Sequence, residues 1–187
     1  MTLLNDMLAF NQTFVEKKEY EKFTTTKFPN KKLVIFSCMD TRLVELLPKA
    51  LNLHNGDVKI IKNAGAVVSH PFGSIMRSIL VAVYELKAEE VCVIGHDDCG
   101  MSKTKPEPIL KSAVERGISQ EIIDTLTNSG IDLNTWLNGF DSVDDSVKNS
   151  VSMIKKHPLL PTDVPVHGLV MNPSTGQLRL VVDGYQK

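Results

Sequence analysis

Apolar positions along this chain follow two periods, and the switches between them mark out the elements. Leu4, Met7, Leu8, Phe14 and Val15 fall at helical spacing and run into the charged stretch Glu16-Lys17-Lys18-Glu19, which predicts an amphipathic helix over residues 2–20 with a solvated end. Thr24 to Asn30 is a loop, and Leu33-Val34-Ile35-Phe36 is a continuous apolar run suited to a strand buried on both faces. Leu43, Leu46 and Leu47 return to helical spacing; Asn55-Gly56-Asp57 then turns the chain into a second strand around Val58 to Ile61. Pro71-Phe72-Gly73 opens a helix to about Leu86, with Ile75, Ile79, Leu80 and Val83 on its apolar side, and Val91-Cys92-Val93-Ile94 is a third buried strand. From Lys103 to Phe140 the pattern is broken by Pro106 and Pro108; several short helices are expected there, one carrying Ile118, Ile122, Ile123 and Leu126, and Trp136 is expected to anchor a turn. Val143, Val147, Val151 and Ile154 form a clear helical stripe capped at Asp141-Ser142, and two last strands, Val166 to Met171 and Gln177 to Val182, flank the turn Asn172 to Gly176.

Strands alternating with helices predict an α/β fold: a mainly parallel central sheet of about four strands, an antiparallel edge strand from the final pair, and helices on both faces. Length favours one domain over residues 1–187, since 187 residues can bury a continuous core and no repeat or flexible linker divides them. Charge narrows the partners: 21 basic against 22 acidic residues give neither a nucleic-acid surface nor a polybasic membrane anchor, so a small neutral or singly charged substrate fits better. The N-terminus has no basic segment followed by a long apolar run, and no stretch approaches membrane-spanning length. Three cysteines make an odd count that argues against a disulfide framework and for a reducing, cytoplasmic location.

The candidate chemistry lies where two of the buried strands stop. Ser37-Cys38-Met39-Asp40-Thr41-Arg42 follows the first strand, and Gly95-His96-Asp97-Asp98-Cys99-Gly100-Met101 follows the third. In parallel sheets, sites form beyond the carboxyl ends of the strands, so Cys38 and the His96/Cys99 pair can converge despite their separation in sequence. Two thiolates and an imidazole are a three-ligand set for zinc, and three protein ligands leave a coordination position for water or substrate, whereas structural sites are closed by four. Cys92 lies inside a strand and belongs to the core, and His54, His70, His157 and His167 have surface or structural roles. Asp40 has three readings: a fourth metal ligand, an acceptor for a metal-bound water, or a helix cap. Arg42 can grip it bidentately and keep it ionised, which favours the acceptor.

Cys-Met-Asp-Thr-Arg, then Lys62-Asn63-Ala64-Gly65, then His-x-x-Cys-Gly-Met, in this order, resemble the β-class carbonic anhydrases over nearly the whole chain. The resemblance is to the small prokaryotic branch with Cys-Met-Asp-Ser-Arg. It implies that Cys38, His96 and Cys99 hold one zinc ion per subunit, that Asp40 and Arg42 form a catalytic dyad, and that Gly65 and Gly100 lie at the bound carbon dioxide or bicarbonate. It also implies a homodimer or dimer-built oligomer with the N-terminal helix packed on the partner subunit. The activity expected is reversible hydration of carbon dioxide; the alternatives are hydrolysis of carbonyl sulfide or carbon disulfide on the same scaffold, and a non-catalytic zinc or redox sensor.

Two thiolates neutralise a divalent zinc ion, whereas three imidazoles leave its charge intact, so the ion here is the weaker Lewis acid. Hydration activity is therefore expected to rise with pH through an apparent pKa above the roughly 7 of a three-histidine site. A pH–rate profile already flat below about pH 6.5 would overturn that expectation.

Overall fold

The computed structural model describes residues 2–186. A five-stranded sheet runs in the order β2-β1-β3-β4-β5, with β1 Leu33–Cys38, β2 Val58–Asn63, β3 Glu90–His96, β4 Val166–Met171 and β5 Leu178–Val182. The first four are parallel and β5 pairs antiparallel with β4, as the alternation of strand and helix predicts. Strands β1 and β3 occupy the middle; their apolar runs are buried on both faces, Val34, Ile35, Phe36, Val91 and Val93 all being fully covered. One face packs on α3 (Ser74–Tyr84) and α7 (Val143–Lys155) through Met76, Ile79, Val147, Val151 and Ile154; the other packs on α2 (Leu43–Ala50) through Leu43 and Leu47.

Helix α7 lies unusually close to the sheet because β3 and β4 present glycines beneath it. A Cβ at Gly95 would meet Val147 Cγ2 at 2.8 Å and Val143 Cγ2 at 2.9 Å, and one at Gly168 would meet Val147 Cγ1 at 2.7 Å. The Ser142 hydroxyl caps the helix by accepting from the Asp145 amide, as expected, and Asp144 and Asp145 in the first turn complement its dipole.

Three boundaries differ from expectation. The first helix, α1, ends at Glu16, because Lys18 takes a left-handed φ of 55° and the turn Glu19–Phe23 folds back to stack Phe23 on Phe14. Helix α3 begins at Ser74 and stops at Tyr84; beyond it Lys87 is left-handed and the Ala88 amide donates back to the Ala82 carbonyl. Between β3 and α7 lie α4 (Pro106–Glu115), α5 (Gln120–Asn128) and α6 (Leu133–Leu137); Pro106 starts α4 at a position where its missing N–H costs nothing. Trp136 does not anchor a turn: it is 68% exposed on α6, and the Asp132 carboxylate caps that helix instead. No helix among the described residues is long and apolar enough to cross a membrane.

The glycine contacts predict that Gly168→Ala lowers stability by about 1–3 kcal/mol without changing the secondary structure. Urea unfolding followed by circular dichroism checks this, with partial recovery expected when Val147→Ala is added; an unchanged midpoint would overturn it.

Candidate metal and catalytic site

The sheet order reverses between β1 and β3: the chain goes from β1 outward to β2, then crosses back to β3 and on to β4. A crevice opens beyond the strand ends at such a switch point. Cys38 is the last residue of β1, His96 the last of β3, and Cys99 follows after a turn in which Asp98 is left-handed at φ 51°. All three candidate ligands are buried.

Their donor atoms converge within 4.8 Å of one another, and the two sulfurs are 3.9 Å apart. A tetrahedral ion with metal–sulfur bonds near 2.3 Å separates two sulfurs by about 3.8 Å, so the spacing suits such an ion. His96 supplies a sharper test. Its Nδ1 lies 2.8 Å from the Asp97 carbonyl, which can only accept, so Nδ1 carries the proton and Nε2 presents a lone pair. That Nε2 is buried without a hydrogen-bond partner among the described residues. A buried acceptor left bare beside two thiols is costly unless something electrophilic completes it, and a metal ion fits.

The two thiols fit the same reading. The pKa of the Cys38 thiol is held well below its usual range, chiefly by the proton it shares with Cys99 and further by the Gly65 and Asp40 amides, with burial opposing. Cys99 is pushed up by the same shared proton and by burial. The pair thus holds one negative charge and one proton that an incoming dication would displace. Cys92, by contrast, is pushed up to about 12 by burial and is an inert core thiol.

Asp40 and Arg42 sit on the turn into α2. Arg42 Nη2 donates to Asp40 Oδ2 at 2.9 Å and Nε to Oδ1 at 3.0 Å, while the Arg42 amide also donates to Oδ1 at 2.9 Å. This bidentate grip holds the Asp40 carboxyl at about 2, so it is an ionised acceptor near neutral pH. Its Oδ2 lies 3.7 Å from His96 Nε2, aimed at the space the three ligands enclose. The helix-cap reading survives only in part: Asp40 takes one amide at the entrance of α2, but its other oxygen faces the crevice.

Arg42 also reaches across to the second string, with Nη2 donating to the Asp98 carbonyl at 3.0 Å and Nη1 to its carboxylate at 3.3 Å. Asp98 was not singled out in the sequence; an acid inside His-x-x-Cys, opposite an arginine needing acceptors, is the signal that could have found it. The role of the Asp97 carbonyl had no signal, because a backbone acceptor is independent of residue type.

Gly65 and Gly100 fall on the crevice in different ways. Gly65, at φ 78°, turns its amide onto Cys38 Sγ at 3.3 Å, and a Cβ there would meet Met101 Cγ at 2.9 Å and Phe140 Cε1 at 3.0 Å. Gly100 opens the turn Gly100–Lys103, where a first amide has no partner within the turn. Together with Met39, Ala64, Met101 and Thr104 they line a mostly apolar cavity of about 390 Å³. None of the other four histidines lies near this cavity: His157, for example, is buried against Phe72 and accepts from the Leu159 amide.

Comparison with known proteins covers the segments that build this crevice. Residues 33–178, from β1 to the start of β5, match the family model described as carbonic anhydrase. The chain is 65% identical over 185 residues to YtiB of Bacillus subtilis, a protein whose name marks it as a provisional carbonic anhydrase, with 99% of each chain covered. The solved β-carbonic anhydrase isoform I of Trichomonas vaginalis superposes with a TM-score of 0.90 at 33% identity, covering 99% of this chain and 100% of that one. A carbon disulfide hydrolase of Acidithiobacillus thiooxidans is 26% identical over 156 residues, covering 80% of this chain and 77% of the relative.

Purified protein is expected to bind one transition-metal ion per chain, and Cys38→Ser, Cys99→Ser and His96→Ala should each weaken it beyond the about 10–100-fold that loss of an outer partner costs. Elemental analysis after dialysis against a chelator checks this; full metal content in all three variants would exclude the site.

Proposed function

The chain belongs to the β-carbonic anhydrase family, and on that premise we propose that it catalyses the reversible hydration of carbon dioxide with one zinc ion held by Cys38, His96 and Cys99. The observation that carries the reading is the bare, buried His96 Nε2 converging with two thiols beside an ionised Asp40. A two-sulfur, one-nitrogen set favours zinc over harder ions, which prefer oxygen. Bound there, zinc supplies Lewis acidity that brings the pKa of a water molecule toward neutrality.

The chain's own residues do the rest. Asp40, ionised by Arg42, can only accept a hydrogen bond, so a water in the crevice turns one proton to Asp40 Oδ2 and a lone pair toward the cavity. Arg42 keeps that carboxylate fixed by three contacts and, through Asp98, locks it to the string that carries His96 and Cys99. The apolar walls at Met39, Ala64 and Met101 suit a linear molecule without a net dipole, and the Gly100 N–H is available to an oxygen that gains negative charge. Gly65 shapes that wall by admitting Met101 and Phe140.

A homodimer or dimer-built oligomer is the supported assembly. Helix α1 has no buried residue, and Leu3, Leu4, Met7, Leu8 and Phe10 are each at least 60% exposed, an apolar face that a second copy would cover. Buried, unpaired cysteines fit a reducing cytoplasm.

The similarity to carbon disulfide hydrolases favours one second reading, attack on a sulfur analogue at the same site. Zinc-loaded protein assayed against carbon dioxide, carbonyl sulfide and carbon disulfide is expected to turn over carbon dioxide fastest; turnover of a sulfur compound alone would replace the reading. Asp40→Asn and Arg42→Ala should retain zinc yet lose about 10²-fold or more in kcat, and full activity with zinc bound would remove the dyad from the mechanism. Light scattering on the same preparation should give at least twice the chain mass.

A further inference from the structure

We propose that Ser150, on the helix layer opposite the active crevice, is a positioning residue that sets the charge of the Cys38 thiolate through the turn Ala64–Val68. The proposal rests on the reading of Cys38 as a metal ligand.

That turn has a demanding shape. Gly65 and Ala66 are consecutive left-handed residues, at φ 78° and 54°, and a non-glycine residue seldom adopts the second. Two clasps hold it. The Asn63 carboxamide bridges the turn from its own strand, Nδ2 donating to the Val67 carbonyl at 2.8 Å and Oδ1 accepting from the Val67 amide at 3.2 Å. Ser150 holds it from α7: its hydroxyl donates to the Ala66 carbonyl at 3.1 Å and accepts from the Val68 amide at 3.1 Å. Ser150 is 2% exposed, wedged between the turn and its own helix. The consequence of the shape is the Gly65 N–H directed at Cys38 Sγ, 3.3 Å away.

A hydrogen bond to a thiolate withdraws charge from the sulfur and makes it a weaker donor to a metal ion. At a centre with two thiolates, which neutralise a dication, the Gly65 amide restores part of the ion's Lewis acidity. The reach of Ser150 depends in turn on Gly95 and Gly168, which let α7 lie close enough for a short side chain to touch the turn. Thus two glycines under a helix, a serine on it and a strained turn form one chain of contacts ending on the sulfur.

A merely structural serine would hold the turn without influencing the metal, and cobalt spectroscopy separates the two roles. In cobalt(II)-substituted protein the thiolate-to-cobalt charge-transfer band is expected to move to longer wavelength in Ser150→Ala, because a thiolate stripped of its hydrogen bond gives up charge more readily. Ser150→Thr should restore the band, and Ser146→Ala, a loss of a neighbouring serine on the same helix, should leave it in place. Protection of the Gly65 amide from hydrogen exchange should fall in Ser150→Ala but not in Ser150→Thr or Ser146→Ala. A band present in the parent protein and unmoved in Ser150→Ala overturns the proposal alone; cobalt bound with no thiolate charge-transfer band overturns it together with the reading of Cys38 as a ligand. Should Ser150→Ala fold too weakly to load cobalt, Asn63→Ala releases the other clasp of the same turn. It is expected to shift the band in the same direction, and an unmoved band there overturns the proposal.

Discussion

The parallel pairing of β1 with β3 is the constraint on which the rest of this molecule depends. Ser37 lies opposite Ile94, so Cys38 comes one residue beyond the last matched pair and His96 two residues beyond it, side by side at the mouth of the crevice. A slip of one residue would turn every side chain of β1 to the other face of the sheet, carrying Cys38 away from His96 and the apolar set out of its core. Burial prevents that slip. Val34 and Phe36 pack beneath α3 and α7 and Ile35 packs on the α2 side, so a slip exchanges side chains between two differently shaped cores, and such misfits cost about 1–3 kcal/mol each.

On that frame the polar chemistry is arranged to be mutually dependent. Arg42 is the tie between the two strings: it holds Asp40 on its own turn and Asp98 on the other. Around it, backbone groups aim the candidate ligands, the Asp97 carbonyl fixing the tautomer of His96 and the Gly65 amide reaching the sulfur of Cys38. An arrangement of this kind does not require unusual residues. It requires left-handed backbone at Gly65, Ala66 and Asp98, held there by neighbours.

Much of this was legible along the chain because burial leaves a periodic trace. The continuous runs at Leu33–Phe36 and Val91–Ile94 mark strands covered on both sides, and the stripe Val143, Val147, Val151, Ile154 marks the helix above them. Element ends were less legible: α1 stops at Glu16 because Phe23 folds back on Phe14, a contact between residues whose local pattern says nothing of it. Trp136 misled for the related reason that a large apolar residue carries no record of whether a neighbour covers it. At the site, Cys38, His96, Cys99, Asp40 and Arg42 were visible as residue types able to do chemistry at strand ends. Asp98, Asn63 and Ser150 were not, since a serine or an acid on a helix or turn is ordinary until its partner is known.

The sequence by itself therefore determined the alternation of strand and helix, the inventory of donors and the two strings that carry them, because those follow from local pattern and side-chain chemistry. Only the tertiary structure decided that His96 Nε2 stands bare between two sulfurs, that one guanidinium clamps both strings, and that a serine on the far helix governs the turn against Cys38. These are distances between groups far apart in the chain, fixed by how closely layers pack and which way backbone amides point. No local pattern encodes them.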